Sequence, residues 1–422
     1  MTEQEALAFL AAAGRFGELG LARTERLLDN LGHPEAGLRF YHVAGTNGKG
    51  SVTAALAAML QGTGRRAGRY TSPHLEREHE RIALDGREIA PAELVAAAGR
   101  VQDACRGMAD LPTEFELWTG VALCAFQAAG TTDVAWETGL GGRYDATNVV
   151  RPAATVISSI GLDHMDRLGD TLAKIAWEKA GILKAGVPAV VGDLPAEALH
   201  VIEAVAGDVR APIWRLGREV QVLDVAVAAE GTTFRYGDPL GADIAVRFGL
   251  IGRHQAKNAA LALAALRRVA GARETDAMLA ALTGVTWPGR FEIVRREPPL
   301  VLDGAHNPEG AQALAATWRD VYPGRRPVVL FGCLADRDPR SVTACLQDAA
   351  LGWHTVAPPS PRALAAEESA KAVGGTPHPD ADHALDAALA DAEARQAPLL
   401  CFGSLYLIGQ LRGLLRRRGL LR

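Results

Sequence analysis

Phe40-Tyr41-His42-Val43-Ala44-Gly45-Thr46-Asn47-Gly48-Lys49-Gly50-Ser51 is the stretch on which the fold turns. Phe40 to Val43 has the composition of a short strand, the middle is a glycine-rich turn, and from Val52 to Leu60 apolar residues resume at helical spacing. Strand, turn and helix in succession make one α/β unit. The backbone N–H groups of such a turn, with a helix N-terminus behind them, favour a phosphate, and Lys49 would reach the β- and γ-phosphates. The general nucleotide loop is G-x-x-x-x-G-K-[ST]. This chain departs from it twice: Val43 stands where the first glycine would be, and Gly50 follows the lysine. Gly50 removes the hydroxyl that normally holds Mg²⁺, so a phosphate site here needs its metal ligand from elsewhere. The same pattern also suits an ordinary glycine turn.

Working outward, residues before 40 read as helix and turn, with Glu5, Leu7 and Leu10 and then Thr24 to Leu31 on apolar faces. Strand signals follow at Thr132 to Trp136, Ala154 to Ile160 and Val187 to Val191, alternating with helical stretches, which implies a mostly parallel sheet. Residues 213–250 alternate in polarity and read as a small antiparallel addition to the same domain. His254 to Val269 is an alanine- and leucine-rich helix. Near Trp287-Pro288-Gly289-Arg290 the pattern restarts. Strands are expected at Leu300 to Asp303, Val328 to Phe331, Thr355 to Ala357 and Leu399 to Phe402, with a helix beginning near Pro308. The reading is two α/β domains, 1–287 and a smaller 288–422.

Composition narrows the function. With 45 basic against 49 acidic residues there is no basic excess to attract nucleic acid. The five cysteines never form a C-x-x-C pair, which argues against a disulfide framework or a zinc ribbon and fits a reducing compartment. The N-terminus is acidic where a signal peptide would be basic, and the longest apolar run, Leu117 to Ala129, is too short to span a bilayer. A cytoplasmic protein with no membrane partner is expected. Arg416-Arg417-Arg418 reads as a solvated helix end.

Further blocks follow the phosphate loop in order. They are Thr71-Ser72-Pro73-His74-Leu75, Glu137-Thr138-Gly139-Leu140-Gly141-Gly142-Arg143-Tyr144-Asp145-Ala146-Thr147-Asn148, Ser159-Ile160-Gly161-Leu162-Asp163-His164 and Glu178-Lys179-Ala180-Gly181-Ile182. The carboxyl half adds Leu302-Asp303-Gly304-Ala305-His306-Asn307-Pro308 and Gly403-Ser404-Leu405-Tyr406. Together with Ala44 to Ser51 these resemble the folylpolyglutamate synthase and dihydrofolate synthase family, within the Mur ligase superfamily. Each block alone is weak. Their ordered combination over nearly the whole chain is specific.

The resemblance implies a P-loop N-terminal domain with a mostly parallel sheet and a smaller C-terminal α/β domain. It assigns ATP to Gly45, Thr46, Asn47, Gly48, Lys49, Gly50 and Ser51, with Asn258, Arg290 and Asp303. It assigns one Mg²⁺ to Ser72 and Glu137, and a second to Glu137, His164 and a carbamylated Lys179. A monovalent cation such as K⁺ also comes by resemblance. Mg²⁺ prefers hard oxygen ligands, and carbamylation turns a lysine cation into an oxygen donor. Without the resemblance, His164 would read as a structural histidine, Glu137 as a cap or ion-pair residue, and Lys179 as an exposed lysine. Ser72 would read as a turn former. On the acceptor side Phe115, Glu116, Arg143 and Asp145 fall in segments near the family's pterin-bearing substrate. Phe115 would stack on a pterin ring, or pack in the core beside Leu117, Val121 and Phe126. Arg143 would meet a carboxylate. His306 and Ser404 correspond to residues associated with glutamate binding and closure, with Lys49, His306 and Lys179 as the catalytic set.

The implied reaction is ATP-dependent addition of L-glutamate to folates, shared with dihydropteroate, by a monomer. ATP converts the carboxylate into an acyl phosphate, which the glutamate amine then attacks. Two other readings fit the residues less well. A Mur-type ligase for UDP-muramoyl peptides would need an N-terminal domain ahead of the phosphate loop, for which 44 residues leave no room. A P-loop kinase or switch ATPase would not need the blocks at Asp303 and Ser404.

Overall fold

The computed structural model describes residues 1–14 and 20–421. Strand β1, Arg39–Ala44, lies inside an eight-stranded sheet, between β5 (Asp133–Glu137) and β6 (Ala154–Ile157), parallel to both. On the β5 side come β2 (Ala67–Tyr70), β3 (Ile82–Leu84) and β4 (Arg87–Glu88); on the β6 side come β7 (Ala189–Val191) and β8 (Ile213–Arg215). The chain leaves β1 toward one edge of the sheet and later returns to place β6 on its other side. That reversal opens a crevice at the carboxyl ends of β1, β5 and β6, where ligands sit in open α/β sheets. The helix Lys49–Gly62 covers one face and is itself covered by Arg253–Ala270, whose small side chains allow close approach. On the opposite face, aromatic side chains gather beneath the end of β5. Trp136 stacks near Tyr70 at 4.7 Å and Phe40 at 5.4 Å between ring centres, with Phe126 at 6.3 Å. Such pairs add to the burial of large apolar area and make this strand end rigid.

A three-stranded antiparallel sheet follows: β9 (Gln221–Ala228), β10 (Gly231–Asp238) and β11 (Ala242–Phe248). Phe234, Tyr236, Val246 and Phe248 bury against the same core as Tyr41 and Val43. A six-stranded sheet completes the fold: β12 (Glu292–Arg296), antiparallel to β13 (Pro299–Leu302), and then β17 (Leu399–Phe402), β14 (Val328–Phe331), β15 (Gly352–Thr355) and β16 (Thr376–Pro377), all parallel to β13. Leu300 to Leu302, Val328 to Phe331 and Leu399 to Phe402 are fully buried, as strands covered on both faces must be.

The structure corrects several expected boundaries. Ile213–Arg215 belongs to the large parallel sheet, since a crossover helix, Ala196–Val209, delivers it beside β7. The antiparallel addition therefore starts at Gln221. The strand expected at Thr355 to Ala357 lies upstream at Gly352–Thr355, because Pro358-Pro359 cannot extend a ladder of backbone donors. The strand expected to reach Ile160 stops at Ile157, and Ser158 to Ile160 turn over the phosphate loop instead. The short strands β2, β3, β4 and β12 carried too little pattern to be read. All five cysteines are free, and among the described residues no helix is long and apolar enough to cross a membrane.

The addition is pinned by a buried ion pair. Arg267 Nε donates to Asp238 Oδ2 at 2.6 Å, and the Tyr236 hydroxyl donates to the same oxygen at 2.9 Å. Both charged side chains are almost fully hidden. Removing one partner strands a charge, at a cost of about 3 kcal/mol or more. Arg267→Ala should lower the free energy of urea unfolding by that amount, and a loss below about 1 kcal/mol would show that the pair does not hold the sheet.

Candidate active site

The phosphate loop leaves β1 and is clamped by the turn after β6. Thr46 N donates to Ser159 O at 2.8 Å, Asn47 N to Ser159 Oγ at 2.8 Å, and Ser158 Oγ to Asn47 O at 2.7 Å. Gly48 has φ +87°, and a Cβ there would lie 2.6 Å from Asn258 Oδ1. A side chain at Gly45 would collide with Ser158. Gly50 faces the Trp287 indole, with 3.0 Å available to a Cβ. The residues assigned to the nucleotide loop thus form one tight turn with Asn258 against it. Lys49 Nζ folds back to donate to Gly45 O at 3.0 Å and Thr46 O at 3.3 Å, and an incoming phosphate would compete with these carbonyls for the ammonium.

Glu137 ends β5, in register with Val43. Its carboxylate is 4% exposed and accepts from Ser72 N at 3.3 Å. Burial pushes its pKa up to about 7, against the pull of Lys49, Arg290 and Arg69. Lys179, on the helix Leu172–Ala180, is equally hidden and donates to Gly45 O at 2.9 Å. Burial first, and then the charge of Lys49, bring its pKa down to about 7. His164 has φ +50° and opens the short helix Met165–Leu168; burial lowers its pKa, as do the nearby charges of Lys49 and Lys179. The Lys49 charge therefore acts on Glu137, Lys179 and His164 alike.

Among the described residues no three His, Cys, Asp or Glu side chains converge as a ready-made metal cage. Of the four residues assigned to Mg²⁺, Glu137 and His164 are of those types. The set fits a divalent ion in another way. A desolvated carboxylate raised to about 7 would regain its charge beside a cation. An amine lowered to about 7 is substantially neutral, the state that reacts with CO₂ to give an oxygen ligand. Ser72, whose backbone N–H binds Glu137, carries a hydroxyl onto the loop beside that carboxylate.

The acceptor residues fare unequally. Phe115, half-buried, lies against Gly139 and stacks near Tyr70 at 5.9 Å, so its ring supports the glycine turn. Glu116 closes a capping box with Thr113 and takes two bonds of 3.1 Å from Arg23. Both carboxylate oxygens are thereby engaged in holding the helix Glu114–Ala129. Asp145 accepts from Leu140 N at 2.7 Å and Thr147 N at 3.0 Å, and closes the turn 139–145. These two acids shape the site from behind. Arg143 differs: its guanidinium lies 3.7 Å over the exposed Trp177 ring and donates through Nη2 to Trp177 O at 3.1 Å, while its buried Nε is without a hydrogen-bond partner. It is the acceptor-side residue most available to a carboxylate.

The second domain faces this crevice with the carboxyl ends of its own strands. Arg290 is half-buried, donates to Gly289 O at 3.0 Å, and its charge acts on both Glu137 and Asp303. Asp303 accepts from Phe291 N at 2.7 Å and Ala305 N at 2.8 Å, so it fixes the Arg290 segment. His306 Nδ1 donates to Gly304 O at 2.8 Å, and burial lowers its pKa; the free nitrogen is Nε2. Ser404 caps the helix Leu405–Arg417. That helix also ties the domains together. Arg412 and Arg416 both pair with Glu76, four residues after Ser72, and a side chain at Gly409 would sit on the carbonyl of Leu75. The basic run at its end is therefore only partly solvated: Arg416 pairs with Glu76, and Arg418 with Asp382 and Asp386.

Sequence reasoning passed over Asn307 and Arg337. Asn307 exchanges amide bonds of 3.1 and 3.3 Å with Asn47. Arg337 pairs with Asp163 at 2.6 Å. Arg337 stands between two aspartates just after the strand Val328–Phe331, and a charge cluster at a strand's carboxyl end was a signal to follow.

Comparison with known proteins identifies the family of both halves of the chain. Residues 43–266 match the Mur ligase middle domain and residues 289–405 the Mur ligase glutamate ligase domain. A Bacillus subtilis dihydrofolate synthase/folylpolyglutamate synthase is 38% identical over 86% of this chain and 87% of its own length. The chain belongs to this family. Among solved structures, Mycobacterium tuberculosis folylpolyglutamate synthase complexed with ADP superposes with a TM-score of 0.92 at 33% identity, covering 98% of each chain. Escherichia coli FolC in complex with DHPP and ADP gives 0.89 at 32%, covering 99% of each. The fold is that of the folylpolyglutamate synthase branch of the Mur ligases throughout.

Two outcomes test the site. Glu137→Ala should reduce ATP-dependent turnover by about 10²-fold or more with an unchanged circular dichroism spectrum, the scale for losing one preorganised charge partner. Near-normal turnover would remove Glu137 from the chemistry. Lys179 should take up ¹³C-labelled CO₂ as a carbamate detectable by NMR, more readily above pH 7 than below because the neutral amine is the reactive form. The signal should be absent from Lys179→Arg; its persistence there would place the carbamate elsewhere.

Proposed function

We propose that this chain is an ATP-dependent ligase that adds L-glutamate to folates through an acyl phosphate, and that it also accepts dihydropteroate. The observation that carries the reading is the meeting of Lys49, Glu137 and Lys179 at the ends of β1 and β5 with Arg290 and His306 of the second domain. It is supported by relatives named for both activities and by structures of relatives with ADP and DHPP.

Both reacting partners, a carboxylate and a triphosphate, are anions. Lys49 and Arg290 offset their repulsion and stabilise the transferring phosphoryl oxygens. Mg²⁺, held by Ser72, Glu137, His164 and carbamylated Lys179, would add charge neutralisation when bound. Arg143 would orient the acceptor near Gly139 to Gly142, and the phosphate loop would place the γ-phosphate in line. The folate carboxylate takes that phosphoryl group and ADP leaves. His306, neutral and with Nε2 free, then takes a proton from the glutamate ammonium, and the amine attacks the acyl carbon as phosphate departs. The acyl phosphate hydrolyses if water enters, and closure of the second domain over the crevice excludes it.

A cytoplasmic enzyme acting as a monomer, with domains at 1–287 and 288–422, is part of the same reading. A switch ATPase is disfavoured because such a protein has no need of His306 or Arg290 facing the nucleotide. Labelled glutamate offered with ATP, Mg²⁺ and either dihydropteroate or tetrahydrofolate tests the reading. Product is expected with both. Product with one alone restricts the enzyme to that step, and ATP hydrolysis with neither product overturns the folate assignment.

A further inference from the structure

Asp163 gathers more of the molecule than its place beside His164 requires. Its carboxylate is buried. Oδ1 accepts from His164 N at 2.8 Å and pairs with Arg337 at 2.6 Å; Oδ2 accepts from Asn307 Nδ2 at 3.3 Å. Asn307 in turn shares two amide bonds with Asn47 in the phosphate loop, while its Oδ1 caps the helix Pro308–Val321 through Gly310 N at 2.8 Å. Arg337 itself is 13% exposed, and its loop is anchored by Asp338, which caps the helix Pro339–Thr343. Phosphate loop, His164 segment and two loops of the second domain thus meet at one carboxylate.

We propose that Arg337 is a positioning residue: its ion pair with Asp163 docks the second domain and, through that carboxylate, holds the His164 segment and the phosphate loop in their working arrangement. A buried carboxylate without its cation is strongly disfavoured, so the pair makes docking favourable and ordered at once. When the domains part, Asp163 returns to water and its grip on Asn307 and, through it, Asn47 is released. The geometry of the chemical site then depends on a contact that touches no substrate.

The effect on turnover rests on the ligase reading; the effect on docking does not. The experiment uses the full chain as wild type, Arg337→Ala, Arg337→Lys, Asp163→Ala and the double alanine variant. Steady-state kinetics give kcat and KM for ATP, folate and glutamate, and small-angle X-ray scattering gives the radius of gyration. Arg337→Ala should lose about 10²-fold in kcat, the scale for truncating one partner of a buried charge pair, and should scatter as a more extended particle. Arg337→Lys should recover part of both losses. The double variant should be no slower than the slower single one, because the two residues act as a unit. A rise in glutamate KM alone, with kcat and radius unchanged, would make Arg337 a substrate contact and overturn the proposal, as would additive losses in the double variant. If the wild type forms no glutamylated product while Arg337→Ala still expands, the ligase reading fails and the docking role stands.

Discussion

Charge held away from water organises this site. Lys49, Glu137, Lys179 and Arg290 are brought together at strand ends where little solvent reaches, and each alters the ionisation of its neighbours. Glu137 and Lys179 end near the same pKa from opposite directions, because burial disfavours the charged form of both. The loop glycines, the serines after β6 and the aromatic base under β5 all keep that arrangement fixed. A nucleotide and its cation would complete a charge balance that the protein alone leaves poised.

Much of this was legible in the chain. The strand–glycine–lysine–helix unit at 40–60 located the crevice, and the ordered blocks led to Glu137, Lys179 and His306. The central strands were readable because fully buried parallel strands are nearly continuous apolar runs, as Leu399 to Phe402 is. The short strands β3 and β4 were not, since two or three residues carry no period. Local pattern also could not distinguish a side chain that faces the crevice from one that builds its wall. Glu116 and Asp145 sit in the expected segments, yet their oxygens are taken up by Arg23 and by backbone N–H groups. Arg337 and Asn307 were missed for the complementary reason: their partners lie more than a hundred residues away, and spacing along the chain names no partner, although the aspartates flanking Arg337 marked its place.

The two domains are joined on both flanks of the crevice. On one side Asn307 and Arg337 reach Asn47 and Asp163; on the other Arg412 and Arg416 hold Glu76, a few residues from Ser72. Both attachments end next to residues assigned to the metal or the phosphates. Docking and assembly of the site are therefore one event, which suits a reaction whose intermediate must not meet water.

The close approach of Gly409 to the carbonyl of Leu75 bears on how such enzymes diversify. A helix from the second domain lies on the first with no room for even a methyl group. The amino-acid-selecting half cannot then be exchanged between relatives as a free module. A recombinant that brings in a new second domain with alanine at that position would hold Ser72 and its loop out of place, whatever amino acid it was meant to accept. Small residues at the seam, rather than those lining the pocket, set which halves are compatible.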